Sequence, residues 1–258
     1  MRTLLLAIFV STGAWAQAPT EPPPIIQLVR KPGTDAANLR PYAAARAAVD
    51  VLGMNAMTGL PETWLLESHQ SFASIEDLDR SMTAVGPART TAEPSDPMHD
   101  DVLAPARTMI AIHRPAWSYR PDQAIRLFPK ARYFQISVYR IRPGGEADFG
   151  DLVKLRRLTS DSVNLDRPEM AYRVVSGAPD GTYLFVAPLT SLRTLDDVVA
   201  QLPVYAEHLA AARAKDAPKI AAGTEISREH LLFRINPGIS YVSDAFAESD
   251  QEFWHGKR

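Results

Sequence analysis

Stretches of alternating or continuous apolar residues, each closed by a turn, predict strands at residues 25–31, 63–69, 108–114, 133–142, 183–188 and 230–236, with two weaker ones at 55–58 and 170–175. Between them the apolar spacing lengthens to that of helices. Leu39, Tyr42, Ala43, Arg46, Val49 and Leu52 predict one over 38–52, and Phe149, Leu152, Val153, Arg156 and Leu158 another over about 146–163. Ser74 and Asp77 form a capping-box start for a third, and residues 191–197 repeat the pattern of 71–77 to start a fourth.

The elements come in the same order twice. The strand ending in Pro115, Ser118 and Tyr119 returns as the strand ending in Pro237, Ser240 and Tyr241, each residue 122 positions on. The turn Pro32-Gly33 has its match at Pro143-Gly144, 111 positions on, and Ser71 has its match at Ser191, 120 positions on. Offsets that grow through loops while strands stay intact mark a duplication of a β-α-β-β-α-β unit. Helices on one face of an antiparallel sheet make this an α+β fold of two tandem ferredoxin-like repeats, with the two sheets facing each other as a barrel. The expected division is a first repeat over 25–120, a connector over 121–132, a second repeat over 133–246 and a tail over 247–258.

Composition narrows the setting. Arg2, the apolar run Leu4–Val10 and the small residues Ala14 and Ala16 have the three parts of a secretory signal, so cleavage after Ala16 and a periplasmic or secreted location are expected. The apolar run is far short of the roughly 20 residues a membrane span needs, so no membrane anchor is expected once the signal is removed. Residues 17–24 read as a proline-rich leader. With no cysteine, disulfides and thiolate chemistry are excluded. A net charge of −2 without a basic stripe argues against nucleic-acid binding.

On repeat order, turns and the Pro-x-x-Ser-Tyr closures, the chain resembles the dimeric α/β-barrel superfamily, in its NIPSNAP-like and antibiotic-biosynthesis-monooxygenase-like branches. The resemblance covers nearly all of the mature chain and rests on no catalytic motif. It implies a barrel holding a small aromatic or apolar organic ligand between the sheets, oxidised without a cofactor, with room for a homodimer. Two alternatives stand beside it: a non-catalytic binding module with a filled barrel, and a haem protein of the chlorite dismutase kind with His113 or His208 as axial ligand.

Strand alternation sorts the candidate site. Phe134, Ile136 and Val138 form an apolar set, and Tyr133, Gln135, Ser137 and Tyr139 point the other way, which places the polar set toward the barrel. The candidate catalytic residues are His230 as base, with Arg234 and Asn236 stabilising an anion; Tyr133, Gln135, Tyr139, Trp64 and Trp117 are the candidate ligand-binding residues. The two Ser-Tyr pairs read as structural pins. Glu67 with His69, and His99 with Asp100 and Asp101, lack a recognised ligand spacing, so no metal site is expected. Residues 86–107 are a candidate lid. No nucleophile elbow, Walker loop or dinucleotide fingerprint occurs.

Overall fold

The computed structural model describes residues 19–33, 49–85, 107–216 and 223–256. The predicted signal, most of the helix expected at 38–52, the lid candidate up to residue 106 and His99, Asp100 and Asp101 lie outside the described residues. The elements run β1 (Ile25–Pro32), β2 (Val51–Ala56), β3 (Glu62–His69), α1 (Phe72–Val85), β4 (Arg107–His113), α2 (Pro121–Leu127), β5 (Tyr133–Ile141), α3 (Glu146–Ser162), β6 (Met170–Ser176), β7 (Thr182–Leu189), α4 (Arg193–Asp216), β8 (Glu225–Ile235), α5 (Asp244–Ala247) and α6 (Gln251–His255). Strand β2 starts at Val51, where helical spacing was expected to continue to Leu52. The run Val51-Leu-Gly-Met fits either period over so few residues, and pairing of Val51 with Glu67 and Leu52 with Leu66 on β3 decides it.

The eight strands close into one antiparallel barrel in the order β1-β3-β2-β8-β5-β7-β6-β4. Around the ring, β4-β1-β3-β2 and β8-β5-β7-β6 follow the same order, fourth, first, third and second, in the earlier and later parts of the chain. The two runs meet at the β2–β8 and β4–β6 seams.

The repeated Pro-x-x-Ser-Tyr segments secure those seams. After β4, Pro115–Trp117 make one 3₁₀ turn, Ser118 Oγ accepts from Ala171 N at 2.9 Å, and Tyr119 exchanges backbone hydrogen bonds of 2.9 and 2.8 Å with Glu169. After β8, Pro237–Ile239 make the same turn, Ser240 Oγ accepts from Gly53 N at 2.9 Å, and Tyr241 exchanges bonds of 2.8 and 2.7 Å with Val51. Serine hydroxyls and tyrosine backbones make these ties, with the Tyr119 hydroxyl adding a bond to the Leu165 carbonyl at 3.2 Å. At the second seam a Cβ on Gly53 would sit 2.4 Å from Ile239 Cγ1 and 2.5 Å from its carbonyl oxygen. Gly53→Ala is therefore expected to cost about 1–3 kcal/mol by overpacking, read as a lower urea midpoint at unchanged slope.

Alternation puts the apolar set inside. Ile26, Leu28, Leu52, Met54, Trp64, Leu66, Phe134, Ile136, Leu184, Val186 and Phe233 belong to one buried cluster that fills the space within the ring. The tail joins it: Phe246, Ala247 and Trp254 pack on the same cluster, and Trp254 Nε1 donates to the Pro129 carbonyl at 2.7 Å. The other face of the strands meets the helices. Tyr139, Ile141, Ala171, Tyr183 and Phe185 pack with Phe149, Leu152 and Val153 of α3 and with Trp117, while Val29, Val51 and Leu65 pack with Leu78 of α1. The expected ligand space between the sheets is thus occupied by side chains, and the polar set of β5 faces the helix layer. Two-residue alternation defines two faces without saying which is enclosed, and the enclosed one takes the apolar set because the ring's interior excludes water more completely than a layer of helices does.

Candidate functional site

A cavity of about 370 Å³ lies on the outer face of the second strand run, between the sheet and the two helices α3 and α4. Its floor is Ser137 and Tyr139 of β5, Phe185 of β7, and Arg228 and His230 of β8, all projecting to the same face. One wall is Val153, Arg156, Arg157 and Ser160 of α3, continued by Leu165, Arg167 and Glu169 in the segment leading to β6. The roof is a single stripe of α4, in which Val198, Leu202, Tyr205, Leu209 and Arg213 recur every three or four residues and so share one helix face.

The polar groups are arranged around Tyr139. Arg156 Nη1 donates to the Tyr139 hydroxyl at 3.1 Å, and the guanidiniums of Arg156 and Arg228 lie 5.4 and 6.0 Å from its ring centre. The His230 ring meets Tyr139 edge-on at 6.3 Å, and its Nδ1 is 2.7 Å from Ser137 Oγ. This contact fixes the ring orientation through Nδ1, and Nε2 makes no hydrogen bond among the described residues. His230 is open to solvent on one side, and partial desolvation, seconded by the nearby Arg228, Arg167 and Arg156, lowers its pKa below the ordinary histidine value. Burial raises the carboxyl of Glu169 and the phenol of Tyr205 above their usual ranges. Glu225, beside the cavity, lies 3.7 Å from Arg156 and 3.5 Å from Arg228.

Of the residues expected from the sequence, His230 and Tyr139 line this cavity; the rest lie elsewhere. Arg234 is exposed at the far end of β8 opposite Tyr133, and Gln135 stands opposite Leu232 and Ala187. Asn236 caps the 3₁₀ turn after β8, its side chain accepting from Gly238 N at 2.9 Å. Trp64 is fully buried inside the barrel against Phe233 at 4.6 Å. Trp117 is on the outer face, tilted against Tyr183 at 4.7 Å and edge-on to Phe149 at 5.4 Å, so the two tryptophans form no common wall. Glu67 and His69 do meet, at 3.2 Å, in a wholly buried pair rather than an open site. Among the described residues no three histidine, aspartate or glutamate side chains converge as metal ligands.

The haem alternative fares no better in this geometry. His113 Nε2 is bonded to Ser118 Oγ at 3.0 Å next to the Tyr172 ring, and the exposed His208 places Nδ1 2.9 Å from Ser162 Oγ; neither lines the cavity. The residues expected as axial ligands therefore do not fit a haem there.

Sequence reasoning missed Arg156, Arg167, Arg213, Arg228 and Tyr205. The signal was present in the spacing of Val198, Leu202, Tyr205 and Leu209 and in the alternation of Arg228 with His230. It was passed over because the site was sought on the wrong side of the sheet.

No family model and no curated protein matches the chain. Several solved structures do, among them a mutant chlorite dismutase from Candidatus Nitrospira defluvii, 7% identical, TM-score 0.49, covering 87% of this chain and 94% of that one. Another is an anthrone oxidase-like protein, 11% identical, TM-score 0.47, covering 83% and 92%. A third, from Fusobacterium nucleatum, carries a provisional monooxygenase description and is 7% identical, with TM-score 0.48 and coverage of 83% and 93%. These are proteins of the dimeric α/β-barrel class. At such identities and scores the likeness says nothing of chemistry, which has to come from this chain's own geometry.

Proposed function

We propose that the protein is an exported barrel of two tandem ferredoxin-like units that binds a small aromatic molecule beneath α4 and oxidises it without a cofactor, with His230 as the base. The observation that carries this reading is His230 itself, oriented by Ser137 and Tyr139 at the floor of a cavity walled by Phe185, Tyr205, Leu202 and Leu209. Aromatic and aliphatic walls suit a flat organic ring, and a neutral imidazole suits removal of a proton from an activated carbon. Deprotonation at an activated methylene gives a carbanion that reduces dioxygen itself: CH₂ and O₂ become C=O and H₂O, all four electrons coming from the ligand. No external reductant is needed. The pattern of Arg2, Leu4–Val10, Ala14 and Ala16 supports export. Membership of the monooxygenase-like or NIPSNAP-like branch, and pairing as a homodimer, belong to the same proposal.

The test uses anthrone as an activated-methylene probe, with oxygen uptake as the readout. His230→Gln is expected to lower turnover at least about 10²-fold while leaving probe affinity within a few-fold, the signature of a lost general base. In the native protein kcat/KM should hold as pH falls through the ordinary histidine range and decline only below it, because the lowered pKa keeps the imidazole unprotonated to lower pH. Unchanged turnover in His230→Gln would remove the base assignment.

A further inference from the structure

The cavity is lined by five arginines, Arg156, Arg157, Arg167, Arg213 and Arg228, against one glutamate, Glu169. Counting Glu225 beside it still leaves an excess of three positive charges, in a chain whose net charge is −2. Three of the five are occupied: Arg156 with Tyr139 and Glu225, Arg157 with the Ala116 carbonyl, and Arg228 with Glu225. The other two are not fully used. Arg167 has a largely buried side chain whose Nε has no hydrogen-bond partner among the described residues, and its Nη2 is a distant 3.9 Å from Glu169. Arg213 makes no ion pair among the described residues and lines the cavity from the exposed end of α4. A buried guanidinium N–H without an acceptor is costly unless something brings one.

The protein contains its own control. Among the described residues, the matching space of the first strand run, between α1 and strands β1 and β4, is lined by Gln27, Val29, Ile75, Leu78, Thr108 and Ile110, with Glu76 and Asp79 and no arginine. Among the strands and second helices described in both runs, only those of the second place arginines, Arg213 and Arg228, on this space. Their concentration in the second run is a property of that site.

We propose that the ligand of the α4 cavity is an organic oxyanion, a carboxylate on an aromatic body, received by Arg167 with Arg213 as a second contact. The guanidinium fork matches a carboxylate in plane, and its Nε supplies the donor that is otherwise unmet. The aromatic body then lies along Tyr139 and Phe185, where the two rings stand 5.2 Å apart. This deepens the function proposed above and rests on its cavity, though not on His230 as base.

Binding of anthraquinone-2-carboxylate and of its neutral carboxamide, measured by calorimetry on the full mature chain, separates the two ideas. The carboxylate is expected to bind at least about tenfold more tightly than the amide, and Arg167→Gln to weaken the carboxylate about tenfold to a hundredfold while leaving the amide within threefold. Arg167→Lys should recover only part of the loss, since a point charge lacks the fork. If Arg167→Gln fails to fold, Arg213→Gln on the exposed end of α4 must produce the same selective loss for the carboxylate. Equal binding of carboxylate and amide, insensitive to both arginine substitutions, overturns the oxyanion inference and leaves the cavity reading intact. Failure of both probes to bind the folded protein overturns the cavity reading and this inference with it.

Discussion

Trp64→Ala is expected to lower the stability of the barrel by about 3–5 kcal/mol, and with it the thermal midpoint by roughly 10 °C. The indole is fully buried among Leu28, Met54, Leu66 and Phe233 in the interior cluster, its Nε1 donates to Glu62 Oε2 at 2.6 Å, and Arg30 lies 4.7 Å above its ring while also holding Glu62 at 2.9 Å. Removing the ring leaves a hole in a closed ring of strands that can contract little, because strand spacing is set by backbone hydrogen bonds. The Arg30–Glu62 pair survives the substitution, so the loss is chiefly one of packing. Urea unfolding of Trp64→Ala beside native protein reads the effect, and binding to the α4 cavity should be unchanged in the folded variant at low temperature. A small stability loss with a large binding loss would return Trp64 to the role of a ligand wall.

That contrast shows what the sequence makes legible and what it hides. The elements were legible because each is a periodic run with its own punctuation, Pro143 and Gly144 after β5 and Gly177 to Gly181 before β7, although α1 begins at Phe72 with Ser71 Oγ accepting from Ser74 N at 3.3 Å, not at the Ser74 start expected from the sequence. The twofold plan was legible because Pro115, Ser118 and Tyr119 recur as Pro237, Ser240 and Tyr241, and the seams now supply the physical reason, since each set fastens one run of four strands to the other. The tail was not legible. Residues 244–255 carry only three short helical segments, and nothing local signals that Phe246 and Trp254 complete the core on the far side of the connector at Pro129.

The site was half legible for a related reason. His230 and Tyr139 were picked out correctly as sharing a face, because β5 and β8 are neighbours and alternation carries across a strand pair. Which solid element covers that face is a tertiary fact. Once α4 is known to lie there, Arg228 joins His230 by alternation and Tyr205 joins Leu202 and Leu209 by helical spacing. Arg234 and Asn236 drop out for the same reason of geometry: four and six residues along from His230, they are about 13 and 20 Å away at the rise of a strand, beyond one small cavity. The two halves share one strand order, yet one presents Val29 and Ile110 to its helix and the other Tyr139 and His230, so the strand order is common to both and the polar cavity lining is particular to the second.

The first half carries its own buried polar group, and His69→Ala is expected to cost about 3–5 kcal/mol through it. Glu67 and His69 are both wholly buried, with His69 Nε2 3.2 Å from Glu67 Oε2 and Nδ1 3.1 Å from Ser74 Oγ. Ser74 donates its one hydroxyl proton to the Ser71 carbonyl at 2.8 Å, so the Nδ1 contact is satisfied when the imidazole is the donor. A single proton then lies between Nε2 and Oε2 and serves both groups. Without the imidazole, Glu67 keeps no hydrogen-bond partner among the described residues, for its Oε1 already has none. Replacing both members by leucine removes the polar demand together with its answer, and Glu67→Leu/His69→Leu is expected to recover most of what His69→Ala loses. Urea unfolding of Glu67→Leu, His69→Leu and the double Leu variant completes the double-mutant cycle that measures the coupling. Losses that simply add would mean that the two side chains do not share the proton, and that the buried carboxyl is held by something other than His69.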